Sequence, residues 1–164
     1  MTTDFSSSDN IIDVRDIIAR VEELRSEREN LQDTLDEAEE AYKYHDSDDT
    51  QSTPEYEDLQ EAKEAREEWD ESDEAKELET LEELLSDLCG YGGDEQWEGD
   101  WYPVTLINQD HFTDYAQELA EETGSVNRDA RWPNNHIDWD AAADDLKQDY
   151  STVDFEGVSF YYRG

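Results

Sequence analysis

The residue types that carry chemistry most readily are scarce in this chain, and they are scattered. There are three histidines, His45, His111 and His136, and a single cysteine, Cys89. None of the histidines has the spacing of a metal ligand set, and one cysteine forms neither an intrachain disulfide nor a zinc knuckle. No nucleophile elbow, phosphate-binding glycine loop or HExxH stretch occurs. His136 in WPNNHIDWD could be polarised by Asp138 or Asp140, but the ordinary reading of such a residue is a loop or helix-start histidine. Acid pairs are everywhere, so none stands out as a general acid–base dyad. The chemistry on offer is charge itself. No catalytic residue, cofactor or metal site is expected, and the chain does not read as an enzyme.

Its 164 residues carry 49 acids against 12 bases, a net charge of −37. Solubility of a small domain needs a magnitude of only about 2–8, and self-repulsion on this scale opposes folding. Phosphates would be repelled, which excludes nucleic acid and an anionic membrane surface as direct partners. A basic surface is the natural counterpart, and nucleic-acid-binding proteins present such surfaces. No stretch reaches the roughly 18 apolar residues of a membrane span. The N-terminus MTTDFSSSDNIIDV lacks the basic and apolar regions of a signal peptide. Together these point to a soluble protein of the cytoplasm.

The charge is uneven. Residues 1–54 carry 16 acids and 5 bases, residues 55–100 carry 20 and 3, and residues 101–164 carry 13 and 4. Salt adaptation would predict an even spread, and the middle third departs from it. The candidate partner-binding residues there are Glu64, Glu67, Glu68, Asp70, Glu71, Asp73, Glu74 and Glu77.

The elements that would position these acids are helices. Ser8, Asp9 and Asn10 are plausible caps for a helix beginning at IIDV. Val14, Ile17, Val21, Leu24, Leu31, Leu35, Ala38 and Tyr42 then recur at alternating steps of three and four, with Arg28 filling the one polar seam position, a coiled-coil heptad pattern. Thr53 and Pro54 start a second helix that runs to Leu88, with a break or register shift expected near Asp70 to Glu74. Between the helices, Asp46, Asp48, Thr50, Ser52 and Glu57 have the spacing of a calcium loop, but Gln51 stands where the sharp turn needs Gly, so a polar connection is expected instead. The result is an antiparallel hairpin over residues 10–89, preceded by a flexible 1–9, with an apolar edge through which a homodimer could form. A helix of about 35 residues is roughly 52 Å long. The first 100 residues have net charge −28; spread over that length this is about one charge per 1.9 Å, against roughly 1.7 Å of axis for B-DNA.

A glycine- and tryptophan-rich joint, residues 90–102, leads to a small α+β domain over 103–164. Trp97 and Trp101 are the exposed aromatic candidates for a protein interface. Val104 to Ile107 reads as a strand. Asp110 is expected to cap a helix presenting Phe112, Tyr115, Ala116 and Leu119, closed by Gly124. Asp138 is expected to cap another with Trp139, Ala142, Ala143 and Leu146 inward, and Val153 to Tyr162 reads as a hairpin around Glu156–Gly157. The fold class is therefore α+β, mainly α.

The run Ile137 to Leu146, IDWDAAADDL, resembles the C-terminal part of the ArdA-type antirestriction proteins of plasmids, transposons and phages. The matching residues are Ile137, Asp138, Trp139, Asp140, Ala141, Asp145 and Leu146, with Gly157 to Tyr162 as the terminal strand. The resemblance covers residues 103–163. It implies an acidic mimic of duplex DNA that occupies the basic DNA-binding groove of a host nuclease or methyltransferase, type I restriction–modification enzymes above all. It adds Asp138, Asp140, Asp144, Asp145 and Asp149 to the candidate contacts. Members of that family usually precede this part with other small domains, where this chain has a charged helical hairpin, so a CRISPR complex is also a candidate target. The contrasting reading is an acidic coiled-coil assembly module whose partner has no DNA site; pull-down followed by DNA competition separates the two.

Overall fold

Strand, not helix, comes first among the described residues. The computed structural model describes residues 5–44 and 53–164. Strand β1, Ile11–Asp13, precedes α1, Val14–Lys43, so the helix expected from Ile11 begins three residues later. The reason is a partner. Ile11, Ile12 and Asp13 pair with Ile107, Leu106 and Thr105 of a later strand, and the Val14 amide donates to the carbonyl of Val104 at 3.0 Å. β-branched isoleucines fit that ladder well. Ser8, Asp9 and Asn10 are therefore not helix caps: Asp9 closes a turn by accepting from the amide of Ser6 at 2.8 Å. The calcium-like positions Asp46 to Ser52 and His45 lie outside the described residues.

The second long helix divides as its sequence allowed. Helix α2, Pro54–Asp70, ends where Glu71 and Ser72 turn, and α3, Asp73–Leu88, follows. Thr53 caps α2 by accepting from the amide of Tyr56, with Pro54 in the first turn. Ser72 does the same for α3, accepting from Ala75 at 3.2 Å. The run Asp70 to Glu74 contains no apolar residue to hold a continuous helix against a core.

The remaining elements are β2, Asp94–Trp97; β3, Asp100–Tyr102; β4, Thr105–Asn108; α4, Phe112–Glu122; α5, Trp139–Leu146; β5, Ser151–Phe155; and β6, Val158–Tyr162. Four strands form one antiparallel sheet in the order β1-β4-β6-β5, and β2 and β3 form a separate hairpin. Two tight turns, at Glu98–Gly99 and Glu156–Gly157, place both central residues at positive φ. That is the geometry whose twist suits adjoining antiparallel strands, and a glycine second accommodates it. The class is α+β, mainly α, as the periodicities indicated.

By internal contact the chain forms two units. One comprises Met1–Ile18 and Glu83–Gly164, the other Ala19–Glu82. In the first, Leu106 and Ile107 point to opposite faces of β4 and both are buried, so the sheet is covered on both sides. Ile107 packs with Phe112, Ala116 and Ala143 of the two short helices, flanked by Tyr115, Leu146, Tyr150 and Tyr161. Asn108 is a buried polar residue of this core. Its side-chain amide donates to the carbonyl of Asp9 at 3.2 Å, and its carbonyl oxygen accepts from the amide of Asp110 at 3.0 Å. Asn108 thus caps the short 3-10 turn before α4, the role expected of Asp110. Ala142, expected inward on α5, is exposed; Ala143 carries the contact.

The second unit consists of α1 from Ala19, α2, and α3 as far as Glu82. Val21, Leu24, Leu59, Ala62, Leu78 and Leu81 are buried in it. Of the heptad positions, Val21 and Leu24 are sealed, whereas Leu31, Leu35, Ala38 and Tyr42 are half-exposed. Tyr42 meets Tyr56 with ring centroids 6.0 Å apart, and Arg66 donates to the side chain of Gln32 at 3.3 Å. The order of these pairs is that of two antiparallel helices.

Candidate functional site

Thirteen acids are candidate contacts from the sequence, and the structure sorts them by what each already holds. Glu77 accepts two hydrogen bonds from Arg20, each 2.8 Å long, and Arg20 also reaches Glu23 at 2.7 Å. The Arg20 side chain is only 13 % exposed, and these carboxylates hold its proton well above the ordinary guanidinium range. Glu77 is thereby a structural clamp between α1 and α3. Asp70 pairs with Arg66 one turn earlier, and Asp73 sits 3.5 Å from Lys76 in an exposed pair.

Glu64, Glu67, Glu68, Glu71 and Glu74 are different. All five are exposed, and none forms an ion pair among the described residues. Glu64, Glu67, Glu68 and Glu71 are spaced three and four apart, which puts them on one face, with Cβ atoms about 5–6 Å from one another. Like charges so placed oppose the helix by roughly 0.2–0.5 kcal/mol per pair. The unit that carries them holds 26 acids and 7 bases, net −19 on 64 of the 164 residues. The other unit carries net −18 on 100 residues. With α2 and α3 as separate helices of 17 and 16 residues, no single 52 Å rod bears the charge. The density lies in a shorter helical unit.

The acids of the C-terminal region divide similarly. Asp138 caps α5, accepting from the amide of Ala141 at 3.1 Å. Asp140 accepts from the Thr113 hydroxyl at 3.2 Å, tying α5 to α4. Asp144 pairs with Lys147 at 3.0 Å, and the Lys147 ammonium lies over the rings of Phe112 and Tyr161. Asp145 and Asp149 are exposed without an ion pair among the described residues. The run IDWDAAADDL thus reads largely as the scaffold of α5, with its outward acids left over. A second acidic face lies outside the sequence-based candidates: Glu118, Glu121 and Glu122 of α4 line a shallow depression with Arg128, which pairs with Glu121 at 3.0 Å. Its signal was the three-residue step between Glu118 and Glu121.

His136 lies exposed in a short 3-10 turn and makes no ion pair among the described residues, the ordinary reading of that histidine. His111 stands 3.8 Å from Asp114. Among the described residues no group of three or more His, Cys, Asp and Glu side chains could hold a metal ion, and no helix is long and apolar enough to cross a membrane. Trp97 and Trp101 fall on the β2–β3 hairpin. Trp97 packs at 6.4 Å from Tyr102, and Trp101 is 51 % exposed.

A family model described as antirestriction protein (ArdA) matches residues 9–159. The match starts two residues before β1 and takes in helices α1 to α5, well beyond the C-terminal stretch that carried the resemblance. Comparison with curated proteins and with solved structures finds no match.

Proposed function

The chain belongs to the ArdA family of antirestriction proteins, and from that membership we propose that it acts as an acidic stand-in for duplex DNA. The family's activity is inhibition of host restriction–modification; its members are inhibitors, not catalysts. The finer reading is that this chain occupies the basic DNA-binding groove of a nuclease or methyltransferase component in the host cytoplasm. A CRISPR effector with a similar groove would meet the same chemistry. The observation that carries the proposal is that Glu64, Glu67, Glu68 and Glu71 on one face, and Glu74 at the start of α3, are exposed and without basic partners among the described residues. Charges that oppose the fold and face outward suit a basic partner that neutralises them. Asp145 and Asp149 extend the set. The half-exposed seam residues Leu31 and Leu35 support a homodimer, because a second copy would cover them.

The test is restriction of unmodified plasmid DNA by a purified type I enzyme, with wild-type protein and with a variant carrying Gln at the five glutamates. Inhibition should fall at least tenfold. If it survives while circular dichroism shows the helices intact, the hairpin is scaffold and the C-terminal acids hold the activity.

A further inference from the structure

Helices α1 and α2 are bridged at two places about ten residues apart, by Tyr42 and Tyr56 at one end and by Gln32 and Arg66 at the other. Between the bridges the facing side chains are small. Ala38 and Ala41 of α1 and Ala62 and Ala65 of α2 leave a groove of about 540 Å³. Ten helical residues span roughly 15 Å. Leucines at these seam positions would have closed the space as they do elsewhere in helix pairs; alanines leave it open, and unfilled apolar space lowers stability. The rim is acidic: Glu37 on one helix faces Asp58 and Glu61 on the other. All three are exposed and none forms an ion pair among the described residues.

We propose that this groove receives an arginine-bearing segment of the target, the aliphatic stem of the arginine lying on the alanine floor and its guanidinium reaching the carboxylates of Glu37, Asp58 and Glu61. Charge complementarity selects a cation, and the apolar floor selects one with a long hydrocarbon stem, since Arg and Lys stems lie along apolar surface while their heads stay among polar groups. Arginine is favoured over lysine because a planar fork of donors can engage carboxylates on both rims. DNA-binding proteins insert arginines into a narrow groove walled by negative charge, and the α1–α2 groove offers a floor and walls of that kind. The inference rests on the proposed function for its partner, but the groove's preference for arginine is a property of this chain alone.

Filling the groove tests it without changing a single charge. The double substitution Ala38→Leu and Ala62→Leu occupies the floor and keeps every acid. A fluorescein-labelled ten-residue peptide of alanine and glycine bearing two arginines is titrated into the full-length protein and the double variant, in 0.3 M salt to suppress diffuse attraction. The filled variant should bind at least fivefold more weakly, and a two-lysine peptide should bind wild type more weakly than the arginine peptide. Equal binding of the arginine peptide to both proteins overturns the proposal. Should the double variant melt below wild type, Ala41→Leu on the groove wall, a helix-compatible change, takes its place with the same expected loss. Restriction inhibition read on the same proteins separates the two claims. Wild type that binds the peptide in the groove yet fails to inhibit restriction faults the function and leaves the groove standing. Wild type and filled variant that inhibit alike and bind the peptide alike fault the groove and leave the function standing.

Discussion

Arg20 and Glu77 form a two-point ion pair, with Nε and Nη2 of the arginine each 2.8 Å from a carboxylate oxygen, across 57 residues of sequence. In a chain with four acids for each base, a half-buried arginine is spent on joining α1 to α3 rather than on relieving the glutamates of the outer face. Paired acids build the helical unit, and unpaired acids are what it displays.

Arg20→Met keeps much of the hydrocarbon stem and removes the pair. It should lower unfolding free energy by about 1–3 kcal/mol, read as a shift of the urea midpoint. Glu77→Gln should follow it in stability and leave inhibition of restriction within about twofold of wild type once the fold is intact.

The five-glutamine variant at Glu64, Glu67, Glu68, Glu71 and Glu74 should move the opposite way. Removing like charges three and four apart relieves roughly 0.2–0.5 kcal/mol per pair, so its thermal midpoint should rise as its inhibition falls. A drop in both would show that these side chains support the fold.

Much of this was legible in the sequence, and the misses share a cause. Thr53 and Pro54, Asp138, the Glu156–Gly157 turn and the break after Asp70 are local signals, and each sits where its chemistry indicates. Ile11 to Asp13 read as helix because a strand of three residues has too little pattern to announce itself; its identity depends on Thr105 to Ile107, more than ninety positions away. Asn108 took the capping role from Asp110 for a similar reason, since its side chain also answers the carbonyl of Asp9. Among the acids, composition could not say which were already engaged. That Glu77, Asp138 and Asp140 hold the structure together, while Glu64 and Glu68 form no ion pair among the described residues, is a matter of distances.

Asn108→Ala should destabilise the first unit by about 1–3 kcal/mol, because the carbonyl of Asp9 and the amide of Asp110 lose a buried partner. Hydrogen exchange should show the loss concentrated at β1, where the amide of Asn108 itself bonds to Asn10 at 2.8 Å.

Burial pushes the Tyr102 phenol up to about 12 from an ordinary 10, aided by its contact with the Cys89 thiol. Burial also raises the Tyr115 and Tyr162 phenols, and in Tyr115 the hydroxyl of Tyr150 adds to the shift. A group that holds its proton more tightly folded than unfolded contributes stability that is complete below the unfolded value. That stability disappears as pH climbs through the folded value. The first unit should therefore lose stability progressively from about pH 10 to about pH 12, followed by tyrosinate absorbance and circular dichroism together. Tyr102→Phe should flatten that dependence without abolishing it.

The central claim is that this protein and duplex DNA compete for one groove. The most direct measurement is equilibrium binding of labelled protein to a purified type I restriction–modification enzyme, with unlabelled cognate duplex titrated in. Duplex should displace the protein completely, with an apparent affinity that weakens in proportion to added DNA and falls steeply as salt rises. A stable ternary complex of enzyme, DNA and protein, with affinity unchanged at saturating duplex, would contradict the claim.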